Sequence, residues 1–321
     1  MRDASIAVVG ATGAVGTVTM RLLRERGHEH VRAFASGRSA GQTLEGGILV
    51  EEATPDALAA AGVDLALFSV GTSASRELVP HAVRGGAVVV DKSSAYRLVD
   101  GVPLVVPEVN GDRALENDGV VANPNCCSIP LTCVLKPLHD AAGLKRVRVS
   151  TYQSVSGAGA RRMEQLLAEP QAEHDLAMDW TWVGDETDEE SKIRAEAQKI
   201  LELPELPISA TTVRVPVLVG HAEAVWVELE EPLSPAQAEA ALRDAPSVRV
   251  VDVPTPRAAA QTDQVLVGRI RPDRAGENGL ALFLACDNLN KGAALNAIQI
   301  AELLLAESAA HLRPVKAPAS R

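Results

Sequence analysis

The sequence predicts an α/β protein with two sheets, a parallel one near the N-terminus and a largely antiparallel one in a second, α+β part. Through the first 127 residues, short apolar runs alternate with amphipathic helical segments, and repeated β-α units of this kind build parallel sheets. Beyond residue 145, several strands follow one another with few helices between them. The stretch from about residue 169 to residue 190 is predicted to be irregular, and a helix is predicted from Glu190 to about Glu202. A last helix, predicted over residues 292–306, is expected to return to the first sheet. We therefore predict a first domain of residues 1–127 completed by residues 288–321, and a second domain of residues 128–287.

The composition is typical of a globular protein and argues against nucleic acid or an anionic membrane as a partner. Of the 321 residues, 46% are hydrophobic and 23% are charged, and the net charge is −11. The N-terminus shows no signal-peptide pattern, and no apolar run reaches membrane-spanning length. The four cysteines form neither a metal-ligand spacing nor a disulfide framework. We expect a cytoplasmic protein with reduced thiols and no bound metal.

The first strand leads directly into a glycine-rich turn. An apolar run at residues 5–9 is followed by GATGAVG at residues 10–16, and a helix then continues to near Gly27. A nucleotide pyrophosphate needs this order, because glycines let the backbone approach closely and a helix N-terminus presents N–H groups. The turn predicts a Rossmann-like dinucleotide-binding domain. Its predicted cofactor contacts are Gly10, Thr12, Gly13, Ala14, Val15 and Gly16.

The second strand ends where the adenosine ribose of a dinucleotide is expected. An NAD-binding protein usually places Asp or Glu there, whereas this chain has Ser36, Arg38 and Ser39 after the strand at residues 31–35. One cation and two hydroxyls suit a 2′-phosphate, so the turn favours NADP over NAD. A solvent-exposed turn without a ligand is the alternative. Other strand ends predict further ligand contacts at Ser69, Thr72 and Arg97, and the alternative for Arg97 is a solvated surface side chain.

The turn at residues 123–128 is the candidate catalytic centre. It follows an apolar strand and precedes a helix, so Cys126 lies at a helix N-terminus. Unpaired backbone N–H groups and the helix dipole there favour thiolate over thiol, which prepares a sulfur nucleophile. The alternative is that the cysteine is only a small buried hydrophobe.

A histidine far along the chain is the candidate proton carrier for this cysteine. His221 follows Arg214 by seven residues. In a straight strand an odd separation puts two side chains on opposite faces, so a bend at Pro216 or Gly220 is required for both to face one cleft. A structural or exposed histidine is the alternative.

Several separate blocks resemble the aspartate-semialdehyde dehydrogenases, nearly from end to end. They are GATGAVG (10–16), SSAYR (93–97), VPEVN (106–110), NPNC (123–126), STYQSVSGAG (150–159), RVPV (214–217) with His221, DNL (287–289) and KGAA (291–294). The resemblance implies reduction of L-aspartyl 4-phosphate by NADPH to L-aspartate 4-semialdehyde and phosphate, through a thioester on Cys126. It also implies that His221 is the general acid/base and that Gln153 positions the reacting group.

The resemblance further implies binding residues and an assembly. Arg97, Asn125 and Lys192 would bind phosphate, Arg214 the substrate α-carboxylate, and Glu189 or its neighbour Glu190 the substrate ammonium group. Ser156, Gly157 and Asn288 would contact the cofactor near the nicotinamide. The second domain would be catalytic and would form a homodimer, or a dimer of dimers, through its sheet.

The sequence differs from most family members in two places. The connection from residue 169 to residue 190 is shorter and lacks a Tyr-Pro-Ile-Ala-Phe-Asn-like block, and Cys127 stands where Ser is usual. A paralogue that acts on a related acyl phosphate is therefore one alternative. Another is an N-acylglutamyl-phosphate reductase, and a third is a non-catalytic NADP-binding scaffold subunit.

Overall fold

The structure, a computed structural model, describes residues 4–169, 180–276 and 278–311. Ten residues of the connection that was predicted to be irregular (170–179), and the end of the chain after residue 311, lie outside the described residues. No helix in the described ranges combines the length and the apolar character needed to cross a membrane.

The first sheet has six parallel strands. They are β1 (Ile6–Val9), β2 (Val31–Ala35), β3 (Val50–Glu52), β4 (Leu65–Phe68), β5 (Val88–Asp91) and β6 (Val120–Ala122). Between them lie α1 (Ala14–Glu25), α2 (Pro55–Ala59), α3 (Thr72–Arg84) and α4 (Pro107–Asn110). The strand order is β3-β2-β1-β4-β5-β6, so the direction of winding reverses between β1 and β4. Ligands bind at such a reversal, outside the carboxyl ends of the strands.

The rest of the chain contains a second sheet, a short separate hairpin and further helices, the last of which packs on the first sheet. The strands are β7 (Leu144–Gln153), β8 (Trp182–Val183), β9 (Glu186–Thr187), β10 (Ile208–Arg214), β11 (His221–Leu229), β12 (Val248–Val250), β13 (Val265–Pro272) and β14 (Gly279–Cys286). The helices are α5 (Ser128–Ala142), α6 (Ala160–Ala168), α7 (Asp188–Leu201), α8 (Pro235–Asp244), α9 (Pro256–Ala259) and α10 (Leu295–His311).

The second sheet is mixed. Its order is β10-β7-β11-β14-β13-β12, and β8 pairs with β9 in a separate hairpin. The three central pairings are antiparallel, whereas the two edge strands, β10 and β12, pair in parallel. The prediction of a largely antiparallel sheet is confirmed for the centre of the sheet. The parallel edges follow from long connections that carry helices, which antiparallel hairpins do not need.

Both faces of the first sheet are covered. Alternate residues of β1 point to opposite sides, so Ile6 and Val8 pack with α1 and α10, while Ala7 and Val9 pack with α2 and α3. Burial on both faces explains why the strands are continuous apolar runs. The last helix packs on the first sheet through residues such as Ile298.

One face of the second sheet packs on α5, α7 and α8. On the other face α9 covers Ala222 and Ala285, and the described residues leave the rest of that face uncovered. Helix α5 is buried along most of its length, with Leu131 and Leu135 fully enclosed. On the uncovered face lie Tyr152, which is 38% exposed, and the partly buried Trp226 and Phe283. The core on the buried face also includes Val106 and Ala122, so it joins the second sheet to the first.

Two local predictions need correction. The helix predicted from Glu190 begins at Asp188, because Thr187 and Glu190 form a capping box that starts it earlier. The stretch before it, predicted to be irregular, contains the β8–β9 hairpin. The capping box is a short-range contact, and each strand of the hairpin has only two residues. Neither feature leaves a periodic pattern in the sequence.

Gly16 is required by packing in the predicted cofactor turn. A Cβ at Gly16 would lie 2.0 Å from the carbonyl oxygen of Gly10. Gly16→Ala is therefore expected to lower the free energy of unfolding by about 3 kcal/mol, measured by urea denaturation, and to weaken NADPH binding. Gly13→Ala is the matched control, because its Cβ would lie 3.4 Å from the nearest atom. An equal decrease in the free energy of unfolding in the two variants would contradict the explanation by close packing at Gly16.

Candidate active site

A cleft of about 550 Å³ lies between the two sheets, at the carboxyl ends of the parallel strands. The first sheet contributes the start of α1, the loop between β4 and α3, Lys92 and the turn after β6 that carries Cys126. The second sheet and its connections contribute Gln153, Arg214, Glu189 and the residues around Ser156. The cleft thus joins the predicted cofactor side to the predicted catalytic side.

The first-sheet wall fits a pyridine dinucleotide. Helices α1 and α3 both begin at this wall behind glycines, Gly13 and Gly71, and neither has a side-chain cap. Their first N–H groups can therefore bind an anion such as a pyrophosphate. Ser69 lines the same wall, and its buried Oγ has no hydrogen-bond partner in the described part of the chain. Thr72 is the first residue of α3, where its Oγ1 lies 2.9 Å from Ser94 Oγ.

The turn after β2 is exposed, as a contact for the far end of a dinucleotide should be. Ser36 and Arg38 are exposed, and Thr12 Oγ1 donates a hydrogen bond to Ser39 Oγ at 3.3 Å, which ties this turn to the glycine turn. A carboxylate also lies here, because a Cβ added to Gly37 would be 2.7 Å from Oε1 of Glu52. Its place beside the turn is not visible in the sequence, since only the pairing of β3 with β2 brings it close.

The structure brings the predicted nucleophile and the predicted histidine together. Sγ of Cys126 lies 3.2 Å from Nε2 of His221. The cysteine is in the turn before α5, and the histidine is the first residue of β11. The chain turns at Gly220, whose φ is +97° and whose N–H donates to Oδ1 of Asn288. This turn lets Arg214 and His221 approach the same point of the cleft.

The hydrogen bonds of His221 define which ring nitrogen carries the proton. The backbone N–H of Ser154 donates to Nδ1 at 2.9 Å, so Nδ1 acts as an acceptor. A neutral imidazole then carries its proton on Nε2, which faces the sulfur of Cys126. This arrangement stabilises a thiolate, since Nε2–H can donate to it. Ser154 itself was not among the predicted site residues.

The electrostatic surroundings favour the thiolate of Cys126. The pKa of this thiol is well below its ordinary value, because the Cys127 thiol donates to it and because His221 and Arg97 supply positive charge or hydrogen bonds that outweigh burial. Burial raises the pKa of Cys127, so this neighbour remains a thiol and can act as the donor. Cys126 Sγ, Cys127 Sγ and a ring nitrogen of His221 lie within 4.8 Å of one another.

A buried carboxylate connects two of the predicted polar residues. Oε1 of Glu189 accepts hydrogen bonds from Nδ2 of Asn125 at 2.9 Å and from Nε2 of Gln153 at 3.0 Å. Burial and the nearby Cys126 raise the pKa of Glu189. Glu190, by contrast, points away from the cleft and accepts from the N–H of Thr212 at 2.9 Å. Of the two acidic candidates, Glu189 is the one that faces the cleft.

The predicted phosphate ligands differ in their surroundings. Arg97 lines the cleft, but its Nη1 donates to Oε1 of Glu196 at 2.9 Å and its Nη2 to the carbonyl oxygen of Lys92 at 2.7 Å. Lys192 lies beside the cleft rather than in the described lining, and its Nζ donates to Oδ2 of Asp188 at 2.6 Å. Both cations therefore already have anionic partners within the chain.

Lys92 is a cation of the cleft wall that the sequence analysis did not select. Its Nζ donates to Oγ1 of Thr19 at 3.1 Å, and burial lowers its pKa to about 7. The available signal was its position directly after β5, where a parallel sheet binds ligands. The same rule had been applied only to Arg97 in that segment.

Arg214, the predicted ligand of the substrate carboxylate, lines the cleft together with Trp180. Nη1 of Arg214 donates to the carbonyl oxygen of Ser154 at 3.0 Å, and the guanidinium carbon lies 4.7 Å from the ring centroid of Trp180. Ser156, Gly157 and Asn288, the predicted cofactor contacts, line the same cleft, with Gly157 directly beside Arg214. Oδ1 of Asn288 accepts from Oγ of Ser156 at 3.1 Å.

A parallel sheet with an uncapped glycine turn, facing a thiolate–imidazole pair, defines a pyridine-nucleotide-dependent dehydrogenase with a reactive cysteine. Comparison with known proteins gives the same result. Residues 5–117 match the family model described as semialdehyde dehydrogenase, NAD binding domain, and residues 135–182 and 179–291 match semialdehyde dehydrogenase, dimerisation domain. The chain belongs to the aspartate-semialdehyde dehydrogenase family.

Individual relatives match the chain over almost its whole length. Aspartate-semialdehyde dehydrogenase of Streptomyces akiyoshiensis is 45% identical over 336 residues, covering 94% of this chain and 98% of the relative. The crystal structure of aspartate semialdehyde dehydrogenase II from Vibrio cholerae, complexed with ASA, superposes with a TM-score of 0.91 at 37% identity and covers 96% and 99% of the two chains. A Candida albicans enzyme solved with NADP gives a TM-score of 0.76 at 26% identity, with coverages of 95% and 99%.

Proposed function

We propose that this protein reduces L-aspartyl 4-phosphate to L-aspartate 4-semialdehyde and phosphate, with NADPH as the reductant. The observation that carries the proposal is the 3.2 Å contact between Cys126 Sγ and His221 Nε2 at the cleft between the two sheets. The family and the named activity of the relatives support the choice of substrate. Arg214 and Glu189 in the same cleft are suited to the carboxylate and ammonium groups of an amino acid.

The proposed mechanism begins with a thiolate. Cys126 attacks the acyl carbon, the bond from that carbon to the phosphate oxygen breaks, and a thioester forms. When bound, the reduced nicotinamide supplies hydride to the thioester carbon. The resulting alkoxide collapses to the aldehyde and returns the thiolate of Cys126. The departing phosphate takes up one proton, which His221 relays from the solvent as the general acid, and the thiolate is returned unchanged.

His221 provides a hydrogen bond at each stage. Its Nε2–H faces the sulfur and can also donate to the acyl oxygen as negative charge develops there. The Ser154 N–H donates to Nδ1, so the neutral ring presents Nε2–H as its donor. Gln153, held by Glu189, is positioned to orient the acyl group, and Arg97, Asn125 and Lys192 are the proposed phosphate contacts.

The test is the reverse reaction with purified protein. Aspartate 4-semialdehyde should be oxidised with NADP⁺ only when phosphate is present, and N-acetylglutamate 5-semialdehyde should react at least about a hundredfold less efficiently. The opposite preference would favour the N-acylglutamyl-phosphate reductase reaction. Binding of NADPH without turnover of either aldehyde would favour a scaffold subunit.

NADP specificity is part of the proposal and rests on the turn after β2. Arg38 is exposed there and suits a 2′-phosphate, whereas the nearby carboxylate of Glu52 opposes one. Arg38→Ala is expected to lower kcat/KM for NADP⁺ about tenfold and to leave that for NAD⁺ almost unchanged. Glu52→Gln is expected to raise the ratio of kcat/KM for NADP⁺ to kcat/KM for NAD⁺, because it removes the negative charge beside the turn. Equal effects of Arg38→Ala on the two cofactors would contradict this assignment.

We also propose a homodimer, formed through the uncovered face of the second sheet, which carries Tyr152, Trp226 and Phe283. The match to a dimerisation domain supports it, as do the exposed Tyr152 and the partly exposed Trp226 and Phe283 on this face. Trp226→Arg is expected to shift the molar mass measured by light scattering from dimer to monomer. Leu49→Arg is the control, because Leu49 is 58% exposed directly before β3, at the edge of the first sheet. A dimer that persists in Trp226→Arg would contradict the proposed interface. A tetrameric wild-type protein would require a second interface in addition to this one.

A further inference from the structure

We infer that Trp180 is a positioning residue that holds Arg214 in place for the substrate carboxylate and thereby contributes to substrate choice. The inference rests on the proposed function, since it takes the carboxylate of aspartyl phosphate as the group that Arg214 binds. Trp180 lies in the connection between α6 and α7 and lines the cleft. The match to the dimerisation-domain model is split into two ranges that overlap at residues 179–182, directly around Trp180.

The contact between the two side chains has the geometry of a cation–π interaction. The guanidinium carbon of Arg214 lies 4.7 Å from the ring centroid of Trp180. Tryptophan is the most favourable aromatic partner for a cation, and arginine is the more frequent partner among cations. The ring covers one face of the guanidinium group, while the carbonyl oxygen of Ser154 accepts from Nη1 at its edge. The face contact and the edge contact together fix the plane of the group.

Trp180 is itself held in place by the start of α7. The N–H of Thr181 donates to Oδ1 of Asp188 at 3.2 Å, and the N–H of Asp188 donates to the carbonyl oxygen of Thr181 at 2.8 Å. The hairpin formed by β8 and β9 closes the segment between these two residues. The tryptophan therefore approaches Arg214 from a backbone that is anchored to the helix carrying Glu189.

The fixed plane matters because Arg214 lies close to the reacting groups. A Cβ added to Gly157 would be 3.3 Å from Nε2 of His221 and 3.4 Å from Nη1 of Arg214, so both groups flank one point. A carboxylate that binds in the guanidinium plane is thus held a short way from the carbon that Cys126 attacks. Such a spacing suits an acyl group separated from its carboxylate by two carbons, and small errors in this placement are costly for rate.

Two aldehydes that differ only in the carboxylate test the inference. Aspartate 4-semialdehyde carries the group and 3-aminopropanal lacks it, and both can be assayed with NADP⁺ and phosphate in the same enzyme preparations. Trp180→Ala is expected to raise KM for aspartate 4-semialdehyde about tenfold with kcat nearly unchanged, and to leave kcat/KM for 3-aminopropanal unchanged. Trp180→Phe should keep the KM for aspartate 4-semialdehyde close to the wild-type value, because phenylalanine retains an aromatic face. Trp180→Leu should raise this KM as much as Trp180→Ala does, because leucine supplies only apolar volume.

Trp182→Ala is the matched control. It removes the same side chain two residues away, where Trp182 is 58% exposed on β8, and it should leave both aldehydes unaffected. The inference is overturned if Trp180→Ala lowers kcat/KM equally for the two aldehydes, or if Trp180→Leu is as active as Trp180→Phe. A wild-type protein that does not oxidise aspartate 4-semialdehyde would instead overturn the proposed function, so the two failures are distinguishable.

Discussion

Cys126→Ser is expected to lower kcat/KM for aspartate 4-semialdehyde by at least about 10³-fold, because a serine hydroxyl is not ionised near neutral pH and is a poor nucleophile here. The wild-type thiol is favoured as thiolate by Cys127, His221 and Arg97, and these groups cannot do the same for a hydroxyl with a far higher pKa. Mass spectrometry of reaction mixtures quenched with acid should show an acyl adduct on the wild-type peptide. The adduct should be absent from the variant.

Cys127→Ser is the matched control for this experiment. A serine hydroxyl can still donate a hydrogen bond to the Cys126 thiolate, so activity should fall by no more than about tenfold. An active Cys126→Ser enzyme, or an adduct on Cys127 in place of Cys126, would contradict the assignment of the nucleophile.

His221→Gln is expected to lower kcat/KM by about 10²- to 10³-fold. The imidazole donates to the sulfur across 3.2 Å, and its loss removes a donor for both the thiolate and the acyl oxygen. The pKa of Cys126 is lowered in the wild type, so the thiolate persists as the pH falls below the usual thiol range. In the variant this pKa rises. The pH profile for alkylation by iodoacetamide should therefore move to higher pH, with slower alkylation at neutral pH.

His81→Gln is the control for the histidine experiment, because His81 lies on α3 beside Arg84 and away from the cleft. It should leave both turnover and the alkylation profile unchanged. An alkylation profile of His221→Gln that coincides with the wild type would show that the imidazole does not favour the thiolate.

Features encoded by local pattern could be predicted from the sequence. The glycine turn, the strand at residues 31–35 and the Cys126 turn each combine an apolar run with a distinctive break, and each lies where it was expected. Three-residue strands such as β3 and β12 carry no periodic signal and were missed. The pairing of distant residues is also invisible in one sequence, as Glu52 beside Gly37 shows.

Residues that act through another residue were the hardest to find. The Ser154 N–H orients the His221 ring through a backbone atom. The type of residue at position 154 therefore does not indicate the contact. Trp180 approaches Arg214 through a segment with little regular structure. Chemically distinctive side chains such as Cys126 and His221 could be selected by type, but their supporting contacts depend on how the two sheets meet.

The chain passes between the two sheets at the reactive sulfur. It leaves the first sheet at the turn after β6, which carries Cys126, and it returns after β14 beside that same turn, where a Cβ on Gly292 would lie 3.2 Å from the Cys126 carbonyl oxygen. Both passages of the chain between the sheets therefore lie beside the nucleophile. The covalent connectivity of the backbone itself keeps the two walls of the cleft together at the bond-forming centre.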